Sequence, residues 1–205
     1  MKLPRPHQIG NRIIFRCDHQ IPAVHLTFDD GPSGVTTLSL VDLLAELKVP
    51  ATFFITGSRA QEHPQIIQHI HAAGHSLGNH GFWHQSFLFR SSSVIRESIL
   101  QTNLILEKIT HQKIKLFRPP FGQFGLNTYR VCRELGLKII LWDLWTGDYW
   151  PNVSVASLVK RATQSLQPGS IILLHDIQSQ SPKLLQALPE IVQVARSRNF
   201  QFRGL

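Results

Sequence analysis

The segment that determines the fold is Val24-His25-Leu26-Thr27-Phe28 followed directly by Asp29-Asp30-Gly31-Pro32. The apolar lead-in at 24–28 predicts a buried strand, and Gly31-Pro32 predicts a turn immediately after it. Asp29 and Asp30 therefore lie at the carboxyl end of a strand. Because two adjacent carboxylates repel each other, one of them requires a nearby cation. A solvated Asp-Asp-Gly-Pro turn is the ordinary alternative.

Short β-branched or aromatic runs alternate with helical patterns along the rest of the chain. Strands are predicted at 24–28, 51–56, 76–79, 114–117, 138–142, 170–174 and 200–203, and helices at 35–49, 64–73, 94–109, 127–135, 155–166 and 182–195. This alternation favours an α/β fold with parallel strands and crossover helices, either a barrel or a doubly wound sheet. No GxGxxG or GxxxxGK[ST] run opens a helix, which argues against nucleotide binding.

The composition describes an ordered globular protein that fits one domain, residues 1–205, with 42% hydrophobic and 17% charged residues. The net charge of +8 would suit an anionic partner. The basic residues are dispersed, however, so a solvated positive surface is favoured and no nucleic-acid partner is expected. No run approaches the ~20 apolar residues of a membrane span.

The first residues contain no apolar signal-peptide core, so either a cytoplasmic protein or the mature form of an exported one is expected. Cys17 and Cys132 lie far apart and form no CxxC pair, which excludes a cysteine-rich metal site. Two free thiols are favoured, and one disulfide is the alternative.

Polar side chains recur just past the ends of the other predicted strands. His80 and His84 follow 76–79, Arg118 follows 114–117, Asp148 follows 138–142, and His175 follows 170–174. In a parallel barrel these ends share one face, where catalytic groups are found. His80 and His84 form H-x-x-x-H, and two imidazoles with one carboxylate leave coordination positions open, as in catalytic divalent metal sites. With 11 histidines in the chain, an ordinary packing role is the alternative.

The remaining polar clusters each allow two interpretations. Arg118 precedes two prolines that stiffen its loop, and its guanidinium could hold a carboxylate ionised or simply cap a strand. His175 leaves an apolar strand and could act as a general acid or be a buried histidine bonded to backbone. The aromatic residues between 142 and 150 could stack on sugar rings or form a core patch.

Five segments together resemble the polysaccharide deacetylase family, the NodB-homology domain of carbohydrate esterases. They are TFDDGPS at 27–33, HGFWH at 80–84, RPPFG at 118–122, the segment from Trp142 to Tyr149, and LLH at 173–175. The resemblance implies a distorted or incomplete (β/α) barrel of the NodB type. Two departures stand out, because Gly81 replaces the usual Ser or Thr, and the fourth segment has Trp145 for Asp and Tyr149 for Trp.

The resemblance also implies a role for each position. Asp29 would be the base, with Arg118 paired to it, and Asp30, His80 and His84 would bind one divalent ion. The Phe121 N–H would stabilise the oxyanion, and His175, tuned by Asp148, would protonate the leaving amine. The substrate pocket would be lined by Leu173, Trp145 and Tyr149. Zinc is the expected ion, with cobalt, nickel or manganese as alternatives.

The implied activity is removal of acetyl groups from N-acetylglucosamine-containing glycans of the chitin or peptidoglycan type, by a chain expected to be monomeric. O-deacetylation of acetylxylan is one alternative. A non-catalytic glycan-binding homologue is the other.

Overall fold

The computed structural model describes residues 8–9, 12–17, 21–176 and 181–205. Its strands are β1 (Gln8–Ile9), β2 (Ile13–Ile14), β3 (Ala23–Asp29), β4 (Thr52–Ile55), β5 (Ser76–Asn79), β6 (Leu116–Phe117), β7 (Lys138–Ile140), β8 (Leu144–Trp145), β9 (Ile171–His175) and β10 (Gln201–Phe202). Its helices are α1 (Val35–Glu46), α2 (Gly57–Glu62), α3 (Pro64–Ala72), α4 (Ser92–Thr110), α5 (Leu126–Glu134), α6 (Val155–Thr163) and α7 (Ser181–Ser197).

The strands form one curled sheet with the order β1-β2-β7-β6-β5-β4-β3-β9-β8, and β10 also pairs with β3. The β1–β2 pair is antiparallel, whereas β3, β4, β5, β6 and β7 are joined by parallel pairings, as are β9 and β8. Among the described residues β7 pairs with β2 rather than with β8, so the barrel is open at this seam. The incomplete (β/α) barrel is confirmed, and the doubly wound alternative is wrong.

The two-residue period of β3 explains how the core and the site are separated. Successive side chains of a strand point to opposite faces. Val24, Leu26 and Phe28 pack in the main hydrophobic cluster, together with residues of helices α1, α6 and α7. The alternate side chains, His25, Thr27 and Asp29, lie in the barrel interior and are all buried. Asp29 is therefore delivered to the interior at the strand's carboxyl end.

A second hydrophobic cluster fills the barrel below the site. Ile14, Phe54, Ile140 and Ile171 pack together there. A Cβ at Gly78 would lie 2.5 Å from the Phe54 ring, so β5 needs glycine where it passes this ring. The interior is thus a packed column that supports the polar groups above it rather than an open channel.

Several boundaries differ from the predicted ones. The strand predicted at 138–142 ends at Ile140, because the Asp143 carboxylate accepts hydrogen bonds from the Ile171 N–H and the Ser170 hydroxyl and the local backbone leaves the ladder. Asp148 consequently follows the short strand β8, not the predicted strand. Helix α2 and strands β1, β2 and β8 were not predicted, and the helices predicted to reach 49 and 166 end at Glu46 and Thr163.

The two cysteines are free thiols, as favoured by their spacing, with Cys132 buried and Cys17 half-buried. Burial raises the pKa of the Cys132 thiol to about 12. Within the part of the chain that the structure describes, no helix combines the length and apolar character needed to cross a membrane.

Candidate active site

The polar groups predicted to share one face meet at the carboxyl ends of the strands. A cavity of about 320 Å³ opens there, lined by Asp29, Asp30, His80, His84, Phe121, Gly122, Trp142, Trp145, Tyr149, Leu173 and His175. The other two predicted site residues, Arg118 and Asp148, are buried behind the cavity wall and contact it through Asp29 and His175. The structure therefore brings together every residue that the sequence assigned to the site.

Both carboxylates of the Asp-Asp pair reach the cavity because the chain changes conformation between them. Asp29 ends the extended strand β3, whereas Asp30 adopts a left-handed conformation with φ of 73°. This conformation is uncommon for residues other than glycine and is often found at functional sites. The Asp30 carbonyl is held by the Arg59 guanidinium at 2.9 Å and the Thr56 hydroxyl at 3.1 Å. These two contacts fix the turn.

Asp30, His80 and His84 present one donor atom each, all within 4.8 Å of one another. The His84 Nε2 lies 3.0 Å and the His80 Nε2 3.3 Å from Asp30 Oδ1, yet this buried oxygen has no hydrogen bond of good geometry among the described residues. The three atoms therefore converge on a common point without bonding one another. This arrangement fits a divalent ion, and two nitrogens with one oxygen suit zinc and neighbouring transition metals.

The tautomer of His80 strengthens the fit. Its Nδ1 lies 2.7 Å from the carbonyl oxygen of Arg118, which can only accept, so Nδ1 carries the hydrogen. In the neutral ring, Nε2 then directs its lone pair toward the Asp30 carboxylate. Two such electron-rich atoms repel each other unless a proton or a metal cation lies between them. Burial opposes ionisation of Asp30, but the interactions of its carboxylate with the His80 and His84 rings outweigh burial and hold the pKa of Asp30 far below the ordinary range.

Arg118 is fully buried under Asp29. Its Nη1 donates to Asp29 Oδ1 at 2.7 Å and to the Thr27 hydroxyl at 2.8 Å, while its other nitrogens bond the Ile140 and Leu141 carbonyls. The guanidinium carbon lies 4.0 Å from the centre of the Phe54 ring. The Arg118 guanidinium thus has a hydrogen-bond partner for each of its three nitrogens and an aromatic ring against its face. The Asp29 carboxylate is thereby oriented so that its Oδ2 lies 3.8 Å from His80 Nε2.

His175 lies across the cavity and is paired with Asp148. Its Nδ1 donates to Asp148 Oδ1 at 2.8 Å and its backbone N–H to Oδ2 at 2.6 Å. Since the carboxylate can only accept, the hydrogen is on Nδ1 and Nε2 is left for chemistry in the cavity. Burial lowers the pKa of His175, but the hydrogen bond and charge of Asp148 outweigh it, so the pKa is raised overall.

Aromatic side chains form the two rims. Trp145 and Tyr149 are 39% and 41% exposed, with their ring centres 6.1 Å apart, and Tyr149 stands edge-on to His175 at 5.2 Å. On the rim beside Asp30, His80 and His84, the Phe121 ring lies 4.6 Å from the His84 ring. Phe121 itself adopts a left-handed conformation with φ of 61°. The cavity therefore presents flat apolar surfaces on both sides of its polar floor.

Comparison with known proteins agrees with this geometry. Residues 17–140 match the polysaccharide deacetylase family. The chain belongs to this family. It is 32% identical over 181 residues to a peptidoglycan-N-acetylglucosamine deacetylase of Bacillus cereus, covering 87% of this chain and 84% of that protein. It is 33% identical over 166 residues to a chitooligosaccharide deacetylase of Sinorhizobium fredii, covering 80% and 77%.

Solved structures show the same fold. A crystal structure of a peptidoglycan N-acetylglucosamine deacetylase superposes with a TM-score of 0.89 at 30% identity, covering 93% of this chain and 89% of that one. An acetyl xylan esterase of Clostridium thermocellum, with a cobalt ion, gives 0.82 at 30% identity, covering 89% and 87%. A family pseudoenzyme of Bacillus anthracis gives 0.86 at 25% identity, covering 94% and 67%. Membership in the deacetylase family thus includes both enzymes and a pseudoenzyme.

A residue of helix α4 contacts the loop that contains Gly81. Gly81 has φ of 77°, a conformation that disfavours a side chain, and its N–H donates to Asn79 Oδ1 at 2.7 Å. The next N–H, that of Phe82, donates to the Ser98 hydroxyl at 2.9 Å. A Cβ at Gly81 would lie 3.6 Å from this same hydroxyl. Ser98 therefore supplies a hydroxyl brace to the loop that carries both histidines.

We expect Ser98→Ala to weaken metal binding by about tenfold, as is typical for groups that orient metal ligands from outside the coordination sphere. The variant leaves the Phe82 N–H without its acceptor and loosens the loop between His80 and His84. Competition with a chromophoric chelator measures the affinity. Ser93→Ala, an exposed change on the same helix whose hydroxyl contacts Ser91, is the matched control and should retain the original affinity. Equal affinities for both variants would contradict the role of Ser98.

Asp176 is a buried carboxyl group that the sequence places in one polar cluster with His175 but to which it assigns no role. It packs against the turn formed by Asp30 and Gly31, since a Cβ at Gly31 would lie 2.4 Å from the Asp176 Oδ2. Thr37 donates its hydroxyl to Oδ2, and the Asp176 N–H donates to the Asp29 carbonyl at 2.8 Å. Burial raises the pKa of Asp176 from 3.8 to about 6. Asp176 is not among the residues that line the catalytic cavity, and its contacts are with the turn beside it.

Asp176→Asn is expected to change how stability depends on pH. Because the folded-state pKa of Asp176 is raised, the group contributes stability below pH ~4 that is lost as pH rises through about 6. Relative to the unmodified chain, the variant should therefore gain about 2–3 kcal/mol in the free energy of unfolding between pH 4 and 7. Urea unfolding at both pH values, with chelator present, measures this gain. The exposed change Asp42→Asn should give none, and parallel pH profiles for all three proteins would refute the assignment.

Proposed function

We propose that this chain is a metal-dependent deacetylase that removes acetyl groups from N-acetylglucosamine-containing glycans. The observation that carries the proposal is that three potential metal-binding side chains, Asp29 and His175 line one cavity. Asp29 is held by Arg118 at 2.7 Å on one side, and His175 is held by Asp148 at 2.8 Å on the other. The relatives that act on peptidoglycan and chitooligosaccharides support the choice of substrate.

Each residue has a distinct part in this mechanism. Asp29, oriented by Arg118, accepts a proton from the water that attacks the acetyl carbonyl carbon. The Phe121 N–H stabilises the negative oxygen that develops on that carbon. His175 then donates a proton from Nε2 to the departing amine nitrogen, which breaks the carbon–nitrogen bond. Base and acid are separate groups, so neither has to change protonation state twice in a single hydrolysis.

The remaining residues bind the metal and the substrate. Asp30, His80 and His84 would hold one divalent ion, zinc in the first place, and when bound this ion supplies Lewis acidity. Leu173 lines the cavity and would contact the acetyl methyl group, and Trp145 and Tyr149 would offer flat surfaces to the sugar ring.

Acetate release tests the proposal directly. We expect release from chitin oligosaccharides and peptidoglycan, complete loss after exhaustive chelation, and recovery on addition of zinc, cobalt, nickel or manganese. Recovery with each metal identifies the ions the site accepts. Activity that persists undiminished after the metal is removed would refute metal dependence.

The pH profile tests the acid. Because Asp148 raises the pKa of His175, the protonated acid should persist to higher pH than an ordinary histidine would allow. In Asp148→Asn this support is lost, so the alkaline limb of the kcat/KM profile should move to lower pH and the maximum should fall about 10²-fold. Profiles measured on both proteins with saturating zinc give the comparison. An unmoved alkaline limb would remove His175 from the role of acid.

Two alternatives have specific support. O-deacetylation of acetylxylan is favoured by the likeness to an acetyl xylan esterase, and faster acetate release from acetylxylan than from chitin oligosaccharides would establish it. A non-catalytic role is favoured by the likeness to a pseudoenzyme. That role predicts glycan binding without acetate release under any metal condition.

A further inference from the structure

A second cavity, of about 190 Å³, lies beside the catalytic one on the other side of the loop that carries both histidines. We call it the histidine-loop cavity; its walls are the loop residues from Phe82 to Arg90 and one face of helix α4. Trp83 lines this cavity, while the next residue, His84, lines the catalytic one. A single loop therefore separates the two spaces.

The rims of the two cavities are also tied together. The Ser86 hydroxyl, in the wall of the histidine-loop cavity, donates to Gln123 Oε1 at 2.8 Å. Gln123 follows Gly122, which lines the catalytic cavity. This bond therefore links the wall of the histidine-loop cavity to a residue next to the catalytic cavity.

The walls carry the chemistry that recognises a sugar ring. The Trp83 side chain is 67% exposed and stands edge-on to the Phe82 ring at 4.7 Å, which holds the indole in place. Gln85, Ser86 and Gln101 offer amide and hydroxyl groups to ring hydroxyls. An exposed aromatic face with convergent polar groups is typical of a small-ligand site.

The charges indicate an uncharged ring. Arg90 and Glu97 line the same cavity with opposite charges, so its walls have no net charge from this pair. An anionic substituent would gain from Arg90 but would also face Glu97, and hydroxyl groups can bond with both. Trp150 is also exposed, and its ring lies 4.8 Å from that of Trp145, which lines the catalytic cavity.

We propose that the histidine-loop cavity binds an uncharged sugar residue that adjoins the acetylated residue in the same glycan chain. This inference rests on the proposed function. It makes the preferred substrate an oligosaccharide of neutral hexosamines, rather than a single sugar or a chain whose neighbouring residue carries an acidic substituent.

Binding measurements on the zinc-loaded Asp29→Asn protein test this without turnover. By calorimetry, the dimer of N-acetylglucosamine should bind about tenfold more tightly than the monomer, and Trp83→Ala should remove most of that gain. Gln101→Ala, on helix α4 and away from the histidines, should remove about threefold. Leu104→Ala, a similarly exposed apolar change on the outer part of α4, is the control and should keep the full gain.

Equal affinity for monomer and dimer, or a full gain in both Trp83→Ala and Gln101→Ala, would overturn the proposal. A tetrasaccharide that alternates N-acetylglucosamine with N-acetylmuramic acid should show no gain that depends on Trp83; an equal gain would contradict the preference for an uncharged neighbour. Acetate release by the unmodified protein is judged separately. Absence of release together with Trp83-dependent binding would reject deacetylation and retain the cavity, whereas release with no dependence on Trp83 would reject only the cavity.

Discussion

Replacement of Asp29 by Asn is expected to slow acetate release by about 10³-fold while the divalent ion stays bound. The amide keeps the size of the side chain and can still accept from Arg118, but it cannot take a proton from the attacking water. The metal-binding atoms belong to Asp30, His80 and His84, and they are unchanged. Kinetics at saturating zinc, with metal content measured on the same sample, separate the two properties.

Asp30→Ala is the informative counterpart, because it changes the neighbouring carboxylate in the same turn. It should lose both metal and activity, since Asp30 Oδ1 lies within 3.3 Å of both imidazole Nε2 atoms. The two variants therefore differ in metal content and agree in lost activity. If Asp29→Asn instead released the metal, or if Asp30→Ala retained both metal and activity, the division of roles between the two carboxylates would be wrong.

The sequence predicted which side chains meet at the candidate site better than it predicted the elements around them. Strand periodicity and turn residues are local properties, and they were enough to put Asp29, His80, Arg118 and His175 at the carboxyl ends of strands. Helix α2 was missed because it is short and carries little apolar periodicity. Strand β8 was missed because the break before it depends on the Asp143 carboxylate bonding to residues 27 and 28 positions away.

The contacts that hold the site lie beyond local pattern. The Arg118 guanidinium bonds to Thr27, 91 residues away, and the Phe82 N–H to Ser98, 16 residues away. Which side chains meet across such separations depends on register and helix rotation, which residue type alone does not determine. This is why the sequence showed Gly81 as a departure, whereas the structure shows the hydroxyl of Ser98 bracing the same loop.

Arg118→Met is expected to destabilise the fold by about 3–5 kcal/mol, the usual cost of removing one partner from a buried ion pair. The Arg118 side chain has no exposed surface, and Asp29 has 4%. Without the guanidinium, the Asp29 carboxylate is buried without its cation, and the carbonyls of Ile140 and Leu141 lose their donors. Arg130→Met, an exposed change, should remain within about 0.5 kcal/mol of the unmodified chain in urea unfolding.

The double variant Asp29→Asn/Arg118→Met distinguishes a coupled pair from two independent contributions. Because the charge that Arg118→Met leaves uncompensated is that of Asp29, removing both charges should cost less than the sum of the single changes, by about 1–3 kcal/mol. The same coupling should appear in catalysis, where Arg118→Met has little further effect once Asp29 cannot accept a proton. Strictly additive stabilities and rates would mean that Arg118 supports the barrel interior through Phe54 and the strand carbonyls, and does not act through Asp29.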